Sequence, residues 1–209
     1  VSADDAVVKR ALETLRGAGG ALLIDLELTC WEDSLRTDWA DPARPAEVIE
    51  IGLAAYDAST RAVTASFSTL VRPRINPTLS DYGRALLHIA QREIDAAPEL
   101  PAALSAVEAW LRTLPRTTVP TCGWGGRDRM RLATDAARHG VADPLAARGD
   151  VDLRLVMTAL VGHPTPIERD ELRRLEALPP NPRRHRALDD ALDLTHFLAL
   201  LFDPAARPR

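Results

Sequence analysis

The sequence predicts an α/β fold, a mixed central sheet of about five strands with helices on both faces, and three observations carry that expectation. Strand-like apolar runs occupy 21–28, 48–57 and 61–72, and the last two are joined by a short polar turn at 58–61 that makes them a hairpin. From residue 101 onward, helical spacing alternates with strand-like runs at 117–124 and 148–151. Three strands followed by helix, strand, helix, strand and helices cannot bury every apolar face unless helices cover both sides of one sheet.

Taken in order, Asp4 to Leu15 reads as a short helix ended by "GAGG". The first strand is "ALLIDLEL". The stretch 31–46, "WEDSLRTDWADPARPA", is long, polar and proline-bearing, and is expected as a surface loop near the ends of that strand. After the hairpin, residues 75–100 read as irregular turns and short helices, with Asn76-Pro77 as a turn and Ser80 as a cap. Leu104, Val107, Trp110 and Leu111 share a helical face over 101–113. The fourth strand, 117–124, leads into a helix beginning "RDRM" and stopped by Gly140. A fifth short strand near 148–151 precedes "LRLVMTALVG", and the final helices are expected at 168–177 and 188–202. No internal repeat or low-complexity tract interrupts them.

The chain has 209 residues, which is enough for one domain, 1–209, with a core at about 20–202 and a frayed C-terminal tail. It opens on Val1, which suggests a trimmed start. Apolar residues make up 46% and aromatic residues only 4%, so Leu, Val, Ile and Ala must fill the interior. A formal charge of −4 excludes the global signature of a passive nucleic-acid coat but not an enzyme that collects carboxylates for a metal. Positive charge is nearly all Arg, with Lys9 the only lysine, a bias that genome composition explains as readily as phosphate recognition. Two cysteines, Cys30 and Cys122, are too few for a disulfide framework or zinc site and point to reduced, buried thiols in a cytoplasmic protein. No segment has the length of a membrane span, and the N-terminus has acids where a signal peptide has bases.

The chemistry begins in "LLIDLELTCWED". In a strand Leu23, Asp25, Glu27 and Thr29 share one face, so two carboxylates stand side by side within an apolar run. Burying like charges is unfavourable unless they neutralise or find a cation, and a bound metal answers the difficulty. Asp128, at the start of the helix after the fourth strand, and Asp190, at the start of the last helix, supply further acids. His185 precedes Asp190 by five residues. Each alone has an ordinary reading: Asp near a helix start is normally a cap or dipole partner. Together they converge if the first and fourth strands are neighbours at the centre of the sheet. Four acids and one His in one cleft suit two divalent ions, Mg²⁺ or Mn²⁺, about 4 Å apart, clamping the oxygens of an in-line phosphoryl displacement. His185, titrating near neutrality, would take the proton of the attacking water.

"IDLELTCW", "EVIEIG", "FSTLVRPRINPTLSDY", "IAQREIDAAPEL", "TCGWGGRD" and "HRALDDA" resemble, in that order, the DEDDh-type 3′–5′ exonucleases. The nearest branch is the one containing the histone-mRNA and RNA-interference-inhibiting exonucleases. The resemblance spans about 20–202. It implies an RNase H-like fold and stepwise release of nucleoside 5′-monophosphates from single-stranded 3′ ends, with RNA favoured over DNA by analogy. It implies that Asp25, Glu27 and Asp190 hold one metal, that Asp25 and Asp128 hold the second, and that His185 is the general base. Leu28 and Thr29 match positions whose backbone contacts the terminal nucleotide. Where the family has Thr-Gly before Ile, this chain has Leu87-His88-Ile89, a change that either narrows the terminal-base pocket or supplies a stacking ring. Asp189 adjoins Asp190, but the five-residue spacing from His185 selects Asp190.

Other polar residues have two readings each. Glu47 and Glu50 are either ion-paired surface groups or supports for the metal site. Trp31 and Trp39 either stack on bases or pack their loop onto the body; Trp110 and Trp124 are expected in the core. Arg183, Arg184 and Arg186 flank His185 and are phosphate-contact candidates, Arg184 foremost, with Arg72 and Arg74 behind them. His139, His163 and His196 are assigned no chemistry. Two other functions compete. An aspartyl-phosphate phosphatase would need a second Asp where Glu27 stands and a downstream Lys, and neither is present. A catalytically inactive nucleic-acid-binding module of the same fold is disfavoured by the intact set of five residues. Oligomeric state is not legible.

Overall fold

A computed structural model describes residues 3–115, 118–181 and 183–202. The first residue of the expected fourth strand and the "ARPR" tail lie outside the described residues. Helix α1 (Ala3–Ala18) leads into β1 (Gly20–Leu28), a short α2 (Ser34–Thr37), and the hairpin β2 (Val48–Asp57) and β3 (Ala62–Leu70). Then come α3 (Asp81–Leu87), α4 (Gln91–Asp95), α5 (Leu100–Leu111), β4 (Thr121–Gly123), α6 (Arg127–His139) and β5 (Asp150–Asp152). Helices α7 (Leu153–Val161), α8 (Arg169–Leu175) and α9 (Ala187–Phe202) complete the order.

The five strands form one mixed sheet in the order β3-β2-β1-β4-β5. β1 is central, antiparallel to β2 and parallel to β4, as convergence of the acids requires. Alternation along β1 sends Ala21 and Leu23 into a core shared with α1, α7 and α9, and Leu22, Ile24 and Leu26 into a second core under α5 and α6. Asp25 and Glu27 therefore face the α9 side. Burying both faces explains why β1 reads as a continuous apolar run broken only by those two acids.

Three expectations change. β4 and β5 are three residues each, shorter than the apolar runs suggest. Pro120 lacks an N–H for the ladder, so β4 begins after it, although its carbonyl still accepts from Leu22 N at 2.8 Å. The 31–46 stretch is not irregular throughout: Ser34 is buried, its Oγ accepts from Trp31 N at 2.8 Å, and one helical turn forms there. Cys122 is buried as expected, whereas Cys30, just past the end of β1, is only half-buried. Trp110 and Trp124 are partly buried residues packed against the two cores. Among the described residues, no helix is long and apolar enough to cross a membrane.

Candidate active site

β1 presents Asp25 and Glu27 opposite Gly52 and Glu50 of β2. The absence of a side chain at Gly52 lets the start of α9 lie directly on the sheet: a Cβ there would stand 2.1 Å from the Ala187 carbonyl carbon. Glu50, only 1% exposed, then holds that helix start. Its carboxylate accepts from Ala187 N at 3.2 Å and from Arg186 Nη2 at 3.0 Å, satisfying a free N–H at a helix end. Asp190 is thereby placed over the β1 acids. It accepts from His185 N at 2.9 Å and from Asn181 Nδ2 at 2.7 Å. His185 adopts a left-handed backbone, φ 64°, a conformation unfavourable for a residue with a Cβ. Strain of this kind persists only where surrounding contacts enforce it, and here the Asp190 carboxylate does so.

Asp128 arrives from the other side of β1. The turn after β4 runs through Gly125 and Gly126 at φ 92° and 67°, which glycine alone adopts without strain, and α6 begins at once. The Asp128 carboxylate lies against Gly123, 3.6 Å from where a Cβ would be, and accepts a hydrogen bond from the Leu26 backbone. Glu27, His185 and Asp190 each offer a ligand atom, all within 4.8 Å of one another. Asp25, Glu27, Asp128 and His185 line one cleft with Trp31, Trp39, Tyr82, Leu86 and Trp124.

A cation expected by no feature of the sequence also enters this cluster. Arg169, the first residue of α8, donates from Nη2 to Asp25 Oδ1 at 2.7 Å, and its Nη1 lies 3.4 Å from Asp190 Oδ1. Its guanidinium stands over the Trp124 ring, 5.7 Å from the centroid. One arginine does not balance four carboxylates. Burial pushes Asp25 well above the usual carboxylate range; Arg169 opposes this, while Asp128 and Asp190 reinforce it. Glu27 is raised well above its ordinary value by burial and then by Asp25 and Asp190. Burial likewise raises Asp190, and pushes Asp128 up to about 7. His185 moves the other way, lowered by burial and by Arg184. An excess of buried carboxylate oxygens with one imidazole is a donor set that fits Mg²⁺ or Mn²⁺.

Four of the five expected residues, Asp25, Glu27, Asp128 and His185, line the cleft, and Asp190 adjoins it through Glu27 and His185; the residues expected at the substrate are placed as follows. The Leu28 side chain lines the cleft. Both backbone groups of Thr29 are taken within the protein: its N–H donates to Glu47 O at 2.9 Å and its carbonyl accepts from Trp39 Nε1 at 2.6 Å. Ile89 is 2% exposed and packs in the core with Ile49, Leu79, Leu87 and Ile94. His88 is exposed and near enough to lower His185. Arg184 is paired with Asp170, and Arg186 with Glu50. Arg72 pairs with Glu99, and Arg74 reaches the Arg138 carbonyl. Glu47 accepts from the backbone N–H groups of Arg74, Ile75 and Asn76 at 2.8 Å, so it shapes the turn after β3. Trp39 packs its loop down, with Arg131 5.0 Å above its ring.

The Exonuclease (RNase_T) family matches residues 22–197. The 3′-5′ exonuclease Snipper of Drosophila melanogaster is 28% identical over 151 residues, 65% of this chain and 52% of that protein. The 3′-5′ exonuclease eri1 of Schizosaccharomyces pombe is 32% identical over 100 residues, 48% of this chain and 32% of that one. The chain thus spans about half or less of the length of these relatives. Among solved structures, a 3′-exonuclease described in 3′-end specific recognition of a histone mRNA stem-loop superposes with a TM-score of 0.74 at 21% identity, over 90% of this chain and 65% of that one. The nuclease domain of 3′hExo, a DEDDh family member bound to rAMP, gives 0.70 at 23% identity, over 91% and 95%. The fold is therefore the RNase H-like fold of these nucleases, and with its acids and histidine in DEDDh order the chain belongs to the exonuclease family.

Proposed function

We propose that this protein is a divalent-metal-dependent 3′–5′ exonuclease that releases nucleoside 5′-monophosphates from single-stranded nucleic acid, with RNA the favoured substrate. The observation that carries the reading is that Asp25, Glu27, Asp128 and His185 line one cleft, from β1, α6 and the turn at 183–185, while Asp190 of α9 joins Glu27 and His185 within 4.8 Å. Two curated relatives named as 3′-5′ exonucleases support the direction of attack, and a structural neighbour described with histone mRNA favours RNA.

Asp25, Glu27 and Asp190 would hold one Mg²⁺ or Mn²⁺, and Asp25 with Asp128 a second; bound there, the ions would supply Lewis-acid stabilisation of the charge developing on the phosphoryl oxygens. The chain's own groups do the rest. His185, its pKa lowered, is neutral at pH 7 and accepts a proton from the attacking water. Water oxygen bonds to phosphorus as its proton passes to His185, the bond from phosphorus to the 3′ oxygen breaks, and the 3′ alkoxide of the shortened strand takes a proton from solvent to leave as a 3′ hydroxyl. Leu28 forms the floor under the terminal nucleotide, while Trp31, Tyr82 and Leu86 offer apolar surface to its base. The exposed His88, close enough to His185 to lower it, offers a ring to the substrate, and Arg184 reaches a phosphate only by leaving Asp170. The half-buried Cys30, whose thiol burial pushes up to about 11, supports an unreactive role in a reducing, cytoplasmic setting.

The test is a panel of matched RNA and DNA oligomers, single-stranded and duplexed, 3′-labelled and digested with and without Mn²⁺ or Mg²⁺. Wild type is expected to release 5′-mononucleotides from single strands only when metal is present. Asp25→Ala is expected to lose that activity while its circular dichroism remains native. Release of 3′-monophosphates, or equal activity in Asp25→Ala, overturns the assignment.

A further inference from the structure

Arg169 is placed where a metal-binding cluster has least need of another cation. Its side chain is 16% exposed and those of Asp25 and Asp190 are each 10% exposed, so the three share a largely desolvated space. The guanidinium forks across two carboxylates from different elements, β1 and α9, which are 165 positions apart in sequence (190 − 25). The helix that carries it is fixed. Arg173, one turn on, makes a buried pair with Asp193 of α9 and donates to the Pro179 carbonyl, and Leu172 is wholly buried. Asp170 holds Arg184 in the loop of His185. The helix that carries Arg169 is thus tied to α9 and to the loop of His185 by its neighbours, so that a change at the carboxylates falls first on the Arg169 side chain.

We infer that Arg169 is a built-in counter-ion that competes with divalent metal for Asp25 and Asp190, so that metal entry displaces its guanidinium from the carboxylates. This inference rests on the metal-dependent reading above. Arg169 holds one oxygen of each carboxylate, Oδ1 of Asp25 and Oδ1 of Asp190, and so takes up part of the donor set that two ions would need, Asp25 above all. Like charges in a poorly solvated site also repel strongly, so guanidinium and metal ions exclude one another from the same oxygens. The guanidinium already stands over the Trp124 ring within the cleft, a face that can retain the side chain once the carboxylates are given up to metal. Freed from the carboxylates but still on that ring, Arg169 would be available to the phosphodiester of a bound strand. It would serve as a positioning residue that sets how much metal the site needs before it accepts substrate.

The test is Mn²⁺ titration by calorimetry, with parallel thermal denaturation, of wild type, Arg169→Met and Arg169→Lys, and of Glu27→Gln as the control for the site. Arg169→Met keeps the packing on Trp124 and removes the charge. It is expected to bind Mn²⁺ with a midpoint roughly tenfold lower, the change that loss of one charged hydrogen bond implies. Its metal-free melting temperature should fall, because buried carboxylates lose their partner, and its upward shift on adding Mn²⁺ should exceed that of wild type. Arg169→Lys, which cannot fork across two carboxylates, should lower the midpoint by a smaller factor and covers the case in which the Met variant does not fold. An unchanged or higher midpoint in either variant overturns the competition while leaving the nuclease reading intact. Failure of all of them, wild type included, to bind Mn²⁺ in a Glu27-dependent manner overturns both.

Discussion

Gly52 and Ala187 are in backbone contact: a Cβ on Gly52 would lie 2.1 Å from the Ala187 carbonyl carbon and 2.3 Å from its oxygen. The obstacle is main chain, which cannot rotate away as a side chain does. Gly52→Ala must therefore lift the start of α9 off the sheet, and Asp190 with it. Chemical denaturation should show a loss of about 3 kcal/mol or more, in the range of severe overpacking. Nuclease activity should fall by more than the unfolded fraction explains, whereas a wild-type midpoint would show that the helix start does not depend on this approach.

Glu50 ties that same helix start to β2 through Ala187 N and Arg186. Glu50→Gln keeps the size and loses the charge, and should destabilise by about 1–3 kcal/mol, as for loss of charged hydrogen bonds at a buried group. In a double-mutant cycle with Arg186→Met, the two changes should be markedly non-additive. Additivity would mean that the pair is incidental.

The metal-free protein should lose stability as pH rises. Asp25, Glu27, Asp128 and Asp190 all titrate higher in the folded chain than unfolded, Asp128 at about 7. Their protons stabilise the native state fully below about pH 4, and that contribution disappears as pH climbs through the folded values. His185, lowered in the folded chain, acts in the opposite sense below pH 6.5, one group against four. The melting temperature in EDTA should therefore drop by several degrees between pH 5 and pH 8, at about 2–4 °C per kcal/mol for a domain of this size. Excess Mn²⁺ at pH 8 should restore it, and Asp128→Asn should flatten the slope.

His185→Asn should reduce turnover by about 10²–10⁴ with folding retained, because the Asp190 contact is made by the backbone N–H of residue 185 and survives the change. In wild type the rate should fall on the acid side at a pH below 6.5, since the imidazole is harder to protonate than usual. The residual activity of the variant should lack that acid limb. An identical pH profile in both proteins would assign the proton transfer elsewhere.

Much of the fold was readable because period-two alternation fixes faces locally. Once β1 was recognised, Asp25 and Glu27 had to share a side, and both do. The five-residue interval from His185 to Asp190 was equally local, and the contact between them is a backbone hydrogen bond that such an interval permits. His88 is a subtler case. The residue that stands where the family has glycine adopts the left-handed conformation, φ 53°, as the C-cap of α3. The substitution is visible in the sequence; the left-handed backbone that His88 takes up is not. Ile89 and Thr29 show that neighbours in sequence to a cleft residue need not turn their side chains or free backbone groups to the cleft. Ile89 turns into the core, and Thr29 spends its backbone groups on Glu47 and Trp39.

What the sequence determined by itself is the class of sheet and the pairing of acids on β1, since each follows from spacing over a few residues; Asp128, His185 and Asp190 were joined to them by the order of motifs along the whole chain. Tertiary structure alone decided that α9 rests against Gly52, that Glu50 caps it, and above all that Arg169 reaches Asp25 from 144 positions away. Contacts of that range depend on which strands neighbour which and where each helix starts. Those are fixed only when the whole chain closes around its two cores, so no local pattern encodes them.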